Sequence, residues 1–172
     1  SMLELEPPKH TRLRNLVLRA FTTRKINTIQ PEIAALSYKL LDDLKSNNVD
    51  ILKGFATQLP VIVIARLLGV PESMAQDLLS WSNDMVMMYQ ARRTKELEIK
   101  ANSSAKEFVS FMEKYIEEKR YKPEDDLISH LIAAEQEGDK LTKDELISTC
   151  ILLLNAGHEA TVHTIGNGIN CL

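Results

Sequence analysis

The pattern of apolar and polar positions predicts a chain that is helical almost throughout. Apolar residues recur every three or four positions after Pro7 and Pro8 and again after Pro31, which is the spacing of a helix with one buried face. Proline suits the first turn of a helix, so we expect a helix to begin at each of these points. The two stripes comprise Leu13, Leu16, Val17, Ala20 and Phe21, then Ile33, Leu36, Leu40, Leu41 and Leu44.

Further helices follow in the same pattern, over about residues 60–69, 72–90, 94–119 and 125–134. The first of these is apolar nearly all round and is closed by Gly69 and Pro71, which predicts a buried helix. Residues 49–52 are compatible with a short strand. The chain as a whole is predicted to be all-α, or mainly helical.

The last predicted helix begins with a capping box, in which Thr142 and Glu145 each accept a hydrogen bond from the other's backbone N–H. It can run to Leu172, about 45 Å at 1.5 Å per residue. So long an apolar helix is expected to pass through the middle of a larger protein. We therefore expect residues 1–172 to form a single partial domain of a longer chain.

The composition is that of an average globular protein and excludes several classes. Hydrophobic residues make up 44% and charged residues 26% of the 172 positions, so wholesale disorder is not expected. The net charge of −3 gives no support to a nucleic-acid partner. The most apolar run has about 11 residues, whereas a membrane span needs roughly 20, so no membrane association is predicted. The two cysteines form no disulfide framework and fit the cytoplasm.

The most unusual local sequence lies in the last helix, from Asn155 to His163. Gly157 costs about 1 kcal/mol in a helix interior, and the carboxylate of Glu159 among apolar residues costs more unless it has a partner. Together they predict a loosened turn that directs a polar group toward a cavity. Spacing alone leaves open the alternative that Glu159 lies on the outer face of a partly exposed helix.

The histidines of this segment do not have the spacing of a zinc site. In the metalloprotease helix motif two histidines stand four residues apart, whereas His158 and His163 are five apart. At about 100° per residue they lie about 140° apart around the helix axis. No third ligand is evident, so no metal-ligating residue is predicted.

The first predicted helix carries a cationic pair. His10 and Arg14 are four residues apart, and apolar residues are expected to continue that side of the helix, namely Val17, Leu18 and Phe21. Such a pair at the head of an apolar ribbon can hold an anion at the rim of a buried site. The alternative is that both side chains simply reach water. Arg12 is interpreted as an ordinary solvated charge.

Trp81, Met85, Met87 and Met88 form a soft apolar cluster. Because methionine adapts its shape, the cluster can wall a ligand pocket or pack in the core. A stand-alone helical ligand-binding or regulatory domain with a pocket at this cluster is therefore one alternative for the whole chain.

Four segments in this order resemble those of cytochromes P450. Residues 6–14 (EPPKHTRLR) resemble the opening of helix C in soluble bacterial members, and Phe21-Thr22 resembles its ending. Residues 59–71 are similar to helix E and its exit, and residues 125–128 (DDLI) resemble the start of helix H. Residues 156–161 (AGHEAT) resemble the AGxET segment of helix I, the helix that crosses the haem face. The resemblance extends over the whole chain.

The resemblance implies roles for residues in two of these segments. His10 and Arg14 would bind the propionates of haem b, which suits a pair of hydrogen-bond donors on an apolar helix. Ala156 and Gly157 would lie against the oxygen-binding side. Glu159 would feed protons toward the bound oxygen.

One residue departs from the family pattern. Most members have a threonine directly after the acid, whereas this chain has Ala160, followed by Thr161. A shift of one residue rotates the hydroxyl about 100° around the helix. Either ordered water or a substrate hydroxyl delivers protons instead, or Thr161 substitutes after a local distortion.

Two further family features are not in this sequence, namely the E-x-x-R helix and the cysteine loop that ligates iron. Neither Cys150 nor Cys171 lies in the context of that loop, so no axial metal ligand is assigned here. The resemblance therefore implies a partial cytochrome P450 fold, from helix C to helix I, that lacks the haem-thiolate loop and most of the sheet.

The implied function of the whole protein is that of a haem-dependent monooxygenase. It would insert one oxygen atom from O2 into a small apolar organic substrate in the cytoplasm. Electrons would come ultimately from NAD(P)H through a ferredoxin or flavin partner. The 172-residue chain alone is expected to be inactive, because it lacks the axial thiolate, and to self-associate through its uncovered apolar surface.

Overall fold

Seven α-helices and four shorter helical turns carry most of the residues that the computed structural model describes, which are residues 2–20, 23–45, 48–91, 93–136 and 141–172. The helices are α1 (Lys9–Ala20), α2 (Thr23–Asp42), α3 (Gln58–Leu68), α4 (Ala75–Val86), α5 (Lys95–Tyr121), α6 (Leu127–Gln136) and α7 (Lys143–Asn170). The shorter turns are Met2–Glu4, Leu52–Ala56, Glu72–Met74 and Met87–Tyr89. This part of the chain contains no strand, so the prediction of an all-α fold is confirmed.

Two predictions of local structure are wrong. α2 begins at Thr23, and Pro31 lies inside it rather than at its start. A proline inside a helix removes one hydrogen bond to the preceding turn, but Asn27 and Pro31 are exposed, so the carbonyl that loses its partner can be hydrated. Residues 49–52 form no strand, because the chain enters a π-helical turn at Leu52–Ala56. The Phe21-Thr22 segment lies outside the described residues.

α3 and the first half of α7 form the centre of the core. α3 is a buried helix, as its apolar sequence predicts: Pro60, Val61, Ile64, Ala65 and Leu68 are buried on one side, and the residues between them are half-buried. α7 packs along α3 and contributes Leu146, Ile147, Cys150 and Leu154 to the same core. α3 ends at Gly69, whose φ of 85° lies in the left-handed region that glycine adopts without strain.

A buried ion pair joins the end of α5 to the start of α6. Nζ of Lys119 donates to Oδ2 of Asp126 at 2.5 Å and to Oε2 of Glu124 at 2.6 Å, and Lys119 and Asp126 are each 5% exposed. Burial lowers the pKa of Lys119, but the hydrogen bonds to the two carboxylates outweigh burial, so this pKa lies above its ordinary value. Asp126 also accepts the backbone N–H of Ser129 at 2.7 Å, which satisfies a free donor at the start of α6.

Aromatic residues hold α4 against α5. The ring of Trp81 lies 5.3 Å from that of Phe108 and 5.8 Å from that of Phe111, measured between centroids. Trp81 and Met85 pack against the hydrophobic core. The sequence left open whether this cluster walls a ligand pocket or packs in the core, and Trp81 and Met85 pack in the core.

α7 begins with the predicted capping box. Oγ1 of Thr142 accepts the N–H of Glu145 at 3.2 Å, and the Glu145 carboxylate accepts the N–H of Thr142 at 2.8 Å. From there the helix continues over 28 residues to Asn170. None of the described helices is both long enough and apolar enough to cross a bilayer.

Candidate functional site

The middle of α7 presents different residues to its different sides. Leu154 and His158 are buried, whereas Ala156, Glu159 and Ala160 are exposed. α7 remains a continuous α-helix through this segment, so the predicted loosened turn is wrong. The single glycine of the segment costs about 1 kcal/mol, and the packing of α7 along α3 offsets that cost.

A cavity of about 250 Å³ lies beside this segment and is called the first cavity. Its wall on α7 consists of Ser148, Ile151, Leu152, Asn155, Ala156 and Glu159, and Leu3, Val86 and Tyr89 complete it. Glu159 lines this cavity and is also exposed to solvent. The sequence left open whether this carboxylate faces a cavity or lies on the exposed face of the helix, and in the structure it does both.

A second cavity, of about 460 Å³, lies on the α3 side of α7. Its wall is almost wholly apolar and includes Ile33 of α2, Val63, Ile64 and Leu67 of α3, and Leu153 of α7. Ala156 lines both cavities and therefore stands between them.

Gly157 and Thr161 belong to the second cavity and not to the first. A Cβ added at Gly157 would lie 3.5 Å from Cδ1 of Ile64, an ordinary contact distance, so this glycine faces α3. The Thr161 hydroxyl donates to the carbonyl of Gly157 at 2.9 Å. Within the six-residue motif, Glu159 thus lines the first cavity, Gly157 and Thr161 line the second, Ala156 lines both, and His158 is buried.

The cationic pair lies on the outer side of α1. His10 is half-buried and Arg14 is exposed, and neither lines the first or the second cavity. Leu18, which was expected to continue this side as an apolar surface, is 53% exposed. Because Leu18 stands one turn after Arg14, it shares the side of α1 that faces away from the core.

Two contacts connect the N-terminal part of the described chain to α7, one at the first turn of α7 and one beside Glu159. Arg12 forms an ion pair with Glu145 in the first turn of α7, so its interpretation as a solvated charge is wrong. The turn Met2–Glu4 packs against α1 and α7, and Leu3 lines the first cavity together with Glu159. Glu145 and Glu159 are about 21 Å apart along the helix. The turn Met2–Glu4 therefore packs against α7, whereas α1 packs against α6 and reaches α7 through the side chain of Arg12.

His158 is a buried polar residue that the sequence analysis considered only as a metal ligand. It is 5% exposed, and neither ring nitrogen makes a well-aligned hydrogen bond among the described residues, although the Thr57 backbone is close enough to oppose the effect of burial on its pKa. Burial lowers the pKa of the His158 ring, against the opposing effect of the adjacent Glu159 carboxylate. The sequence could have indicated this burial, because His158 follows Cys150 and Leu154 at intervals of four residues and so lies on the same side of the helix.

We expect His158 to make the folded state less stable in acid. The unfolded chain takes up a proton near the ordinary value of 6.5, whereas the folded chain takes it up only at lower pH, so the free energy of unfolding falls as the pH falls below that value. Denaturant titrations at about pH 7 and about pH 5 measure this loss, which the His158→Leu variant should reduce. The exposed His163 supplies the matched control, His163→Gln, which should keep the full pH dependence. An unchanged pH dependence in His158→Leu would contradict this assignment.

The two cysteines occupy opposite environments. Cys150 is 0% exposed, and burial raises the pKa of its thiol to about 12. Cys171 is exposed at the end of α7. Within the described part of the chain, no three His, Cys, Asp or Glu side chains are grouped closely enough to hold a metal ion.

Comparison with known proteins identifies the family. The family model for cytochrome P450 matches residues 1–172. The polyketide biosynthesis cytochrome P450 PksS of Bacillus subtilis (strain 168) is 43% identical over 168 residues, which are 97% of this chain and 40% of that protein. The vitamin D(3) 25-hydroxylase of Pseudonocardia autotrophica is 39% identical over 173 residues, which are 99% of this chain and 41% of that protein. The chain belongs to the cytochrome P450 family.

Solved structures give the same result for the fold. The crystal structure of P450BioI in complex with an acyl carrier protein matches with a TM-score of 0.92 and 35% identity, over 100% of this chain and 44% of that one. The chain spans about two fifths of the length of the curated relatives it matches. Its helices form the partial, helical cytochrome P450 fold that the sequence predicts.

Proposed function

We propose that this chain is the helical part of a haem monooxygenase that inserts one oxygen atom from O2 into a small apolar organic substrate. The observation that carries the proposal is the exposed side of α7, where Glu159 stands beside Ala156 at the edge of the mostly apolar first cavity. A proton-carrying carboxylate next to an apolar ligand cavity is what such a reaction requires of the protein.

The residues present fit a haem. Ala156 and Ala160 are small and exposed, so at these two positions α7 has no bulky side chain that would obstruct a flat, apolar ring system. His10 and Arg14, one turn apart on α1, have the donor chemistry that two propionates need. Cys150 is buried in the core, so the proposal takes the axial thiolate from outside this chain. When bound, the haem supplies the reductive activation of O2.

We propose a proton path that runs through Glu159. The Thr161 hydroxyl already donates to the Gly157 carbonyl, and its side chain lines the second cavity. Of the routes left open by the sequence, this arrangement supports delivery from Glu159 through ordered water or a substrate hydroxyl beside Ala160. A rearrangement that substitutes Thr161 would have to break its present hydrogen bond.

The substrate and the redox partner follow the family pattern in outline. Solved relatives include the cytochrome P450 MycG with mycinamicin V and CYP109E1 with corticosterone, which supports an organic substrate with a large apolar part. Electrons come ultimately from NAD(P)H through a ferredoxin or a flavin protein. We place the reaction in the cytoplasm. The 172-residue chain alone is inactive in this proposal, and it self-associates through its uncovered apolar surface.

A carbon monoxide difference spectrum tests the proposal. The longer natural protein that contains this chain, reduced in the presence of haem, should give the spectrum typical of thiolate-ligated iron, and the 172-residue chain should not. A thiolate-type spectrum from the 172-residue chain would contradict its proposed inactivity. If the longer protein gave no such spectrum but bound apolar ligands, a ligand-binding or regulatory domain would replace the monooxygenase.

A further inference from the structure

The π-helical turn Leu52–Ala56 packs closely against its neighbours on two sides. A Cβ added at Gly166 of α7 would lie 2.5 Å from Cδ2 of Leu52, so the backbone of α7 comes very close to the turn at this point. A Cβ added at Gly54 would likewise lie 2.5 Å from Cδ2 of Leu44, in the segment that follows α2. π-helical turns are rare and occur frequently at functional sites. This turn connects the end of α2 to the C-terminal half of α7.

His158 meets the end of the same turn, at Thr57. Thr57 donates its N–H to the Leu52 carbonyl at 2.8 Å and so closes the turn directly before α3 begins. The Thr57 backbone opposes the effect of burial on the pKa of the His158 ring, as a carbonyl does when it accepts a hydrogen bond from the ring. The carbonyl of a residue that precedes a helix has two lone pairs, so it can accept from the ring and from the first turn of α3 together.

A histidine at this buried position costs more than an apolar residue would. The His158 ring is 5% exposed, and Leu154, one turn earlier, is 0% exposed. The charges that act on the ring are those of Glu159 and His163, on the same helix. Burying a ring N–H is unfavourable unless it is hydrogen-bonded, and such departures from an apolar core pattern are typical of functional positions. The N–H donor distinguishes this residue from a leucine, and the Thr57 carbonyl is the acceptor beside it.

We propose that His158 is a positioning residue, which donates a ring N–H to the Thr57 carbonyl and thereby fixes the middle of α7 against the start of α3. This inference rests on the proposed function. The bond is not well aligned in the structure, so the proposal includes a small rotation of the ring. Glu159 follows His158 directly and lines the first cavity. A hydrogen bond that holds His158 therefore also holds the backbone of the proposed proton donor, and the histidine acts on the reaction through its neighbour.

Hydrogen exchange of the full-length, haem-loaded protein, followed by mass spectrometry, tests the contact. His158→Leu removes the donor but remains apolar. Amides in the middle of α7 and in the turn Leu52–Ala56 should therefore exchange about three- to tenfold faster, which corresponds to one net hydrogen bond. An asparagine places its NH2 near the position of Nδ1 and a glutamine near that of Nε2, so either His158→Asn or His158→Gln should restore slow exchange. His163→Gln, at an exposed position of the same helix, is the matched control and should change nothing.

Two results of the exchange measurement would overturn the proposal. The first is unchanged exchange in His158→Leu, or faster exchange that neither amide variant reverses, since the donor would then have no effect of its own. The second is exchange that rises equally in all helices, α5 included, because a general loss of stability would then explain the effect without any positioning of α7.

The ratio of hydrogen peroxide released to NAD(P)H consumed measures the effect on the reaction. It should rise about twofold or more in His158→Leu, because a displaced carboxylate delivers protons less efficiently. The amide variant that restores slow exchange should return the ratio toward that of the parent. An equal ratio in the parent and in His158→Leu would overturn the positioning role.

The carbon monoxide spectrum keeps this inference distinguishable from the proposed function. If the thiolate-type spectrum is present but exchange and peroxide ratio do not change, the inference on His158 is wrong and the proposed function stands. If the longer protein gives no such spectrum, the proposed function is wrong, and the exchange data still decide whether His158 binds Thr57.

Discussion

Replacing Glu159 by glutamine is expected to lower the rate of product formation about a hundredfold or more, which is the usual contribution of a positioned acid or base. The amide keeps the size of the carboxylate, but it replaces one acceptor oxygen by an NH2 donor and cannot carry a proton. The measurement is the initial rate of product formation by the full-length enzyme, together with the ratio of product formed to NAD(P)H consumed. The carbon monoxide spectrum should remain unchanged, because Glu159 is not a haem ligand in the proposal.

Two neighbouring variants make this prediction specific. Thr161→Ala should leave the ratio of product to NAD(P)H unchanged, since the Thr161 hydroxyl is bound to the Gly157 carbonyl. Ala160→Thr adds a hydroxyl on the exposed side, beside Glu159, and should change that ratio. The reverse result, with no effect of Ala160→Thr and complete uncoupling by Thr161→Ala, would favour a rearrangement of α7 that brings Thr161 to the site.

Replacing Asp126 by alanine is expected to lower the free energy of unfolding by up to about 3–5 kcal/mol, because the buried Lys119 ammonium keeps only the exposed Glu124 carboxylate as a partner. Lys119 and Asp126 are each 5% exposed, and their Nζ and Oδ2 atoms are 2.5 Å apart. The backbone N–H of Ser129 loses its acceptor at the same time. Urea titration followed by far-ultraviolet circular dichroism measures the loss.

The matched control removes both charges at once. A Lys119→Met, Asp126→Leu double variant should be more stable than Asp126→Ala, because no unpaired charge remains in the interior. Lys143→Ala, at a pair with Glu113 in which each side chain is 46% exposed, should cost less than about 1 kcal/mol. If Asp126→Ala and Lys143→Ala lowered the free energy of unfolding equally, burial would not strengthen the pair between Lys119 and Asp126.

The helices and their buried sides could be predicted from the sequence because apolar spacing depends on neighbours that are close along the chain. The burial of α3 follows from an apolar run closed by Gly69, and the start of α7 follows from Thr142 and Glu145. The start of α2 could not be predicted in this way. A proline is compatible with a helix interior where water can reach the freed carbonyl, and that exposure at Pro31 is a property of the folded chain.

The candidate site was predictable in part for the same reason. The motif drew attention to the middle of α7, but its residues divide between two sides of the helix, and only the position of α3 shows that Gly157 and Thr161 face Ile64 and the second cavity. The pairing of Arg12 with Glu145 spans 133 residues, so no local pattern could indicate it. The unpaired, buried Oδ1 atom of Asn155 likewise becomes visible only when its surroundings are known.

Ala156 stands in the walls of both cavities. A larger side chain at this position would alter both cavities together. A substitution that changed the ligand preference of the first cavity would therefore also change the shape of the second cavity, between α7 and α3. Val86 and Ile151 line the first cavity alone. Directed evolution of ligand preference should therefore begin at these two positions, where a substitution changes the lining of the first cavity and not that of the second.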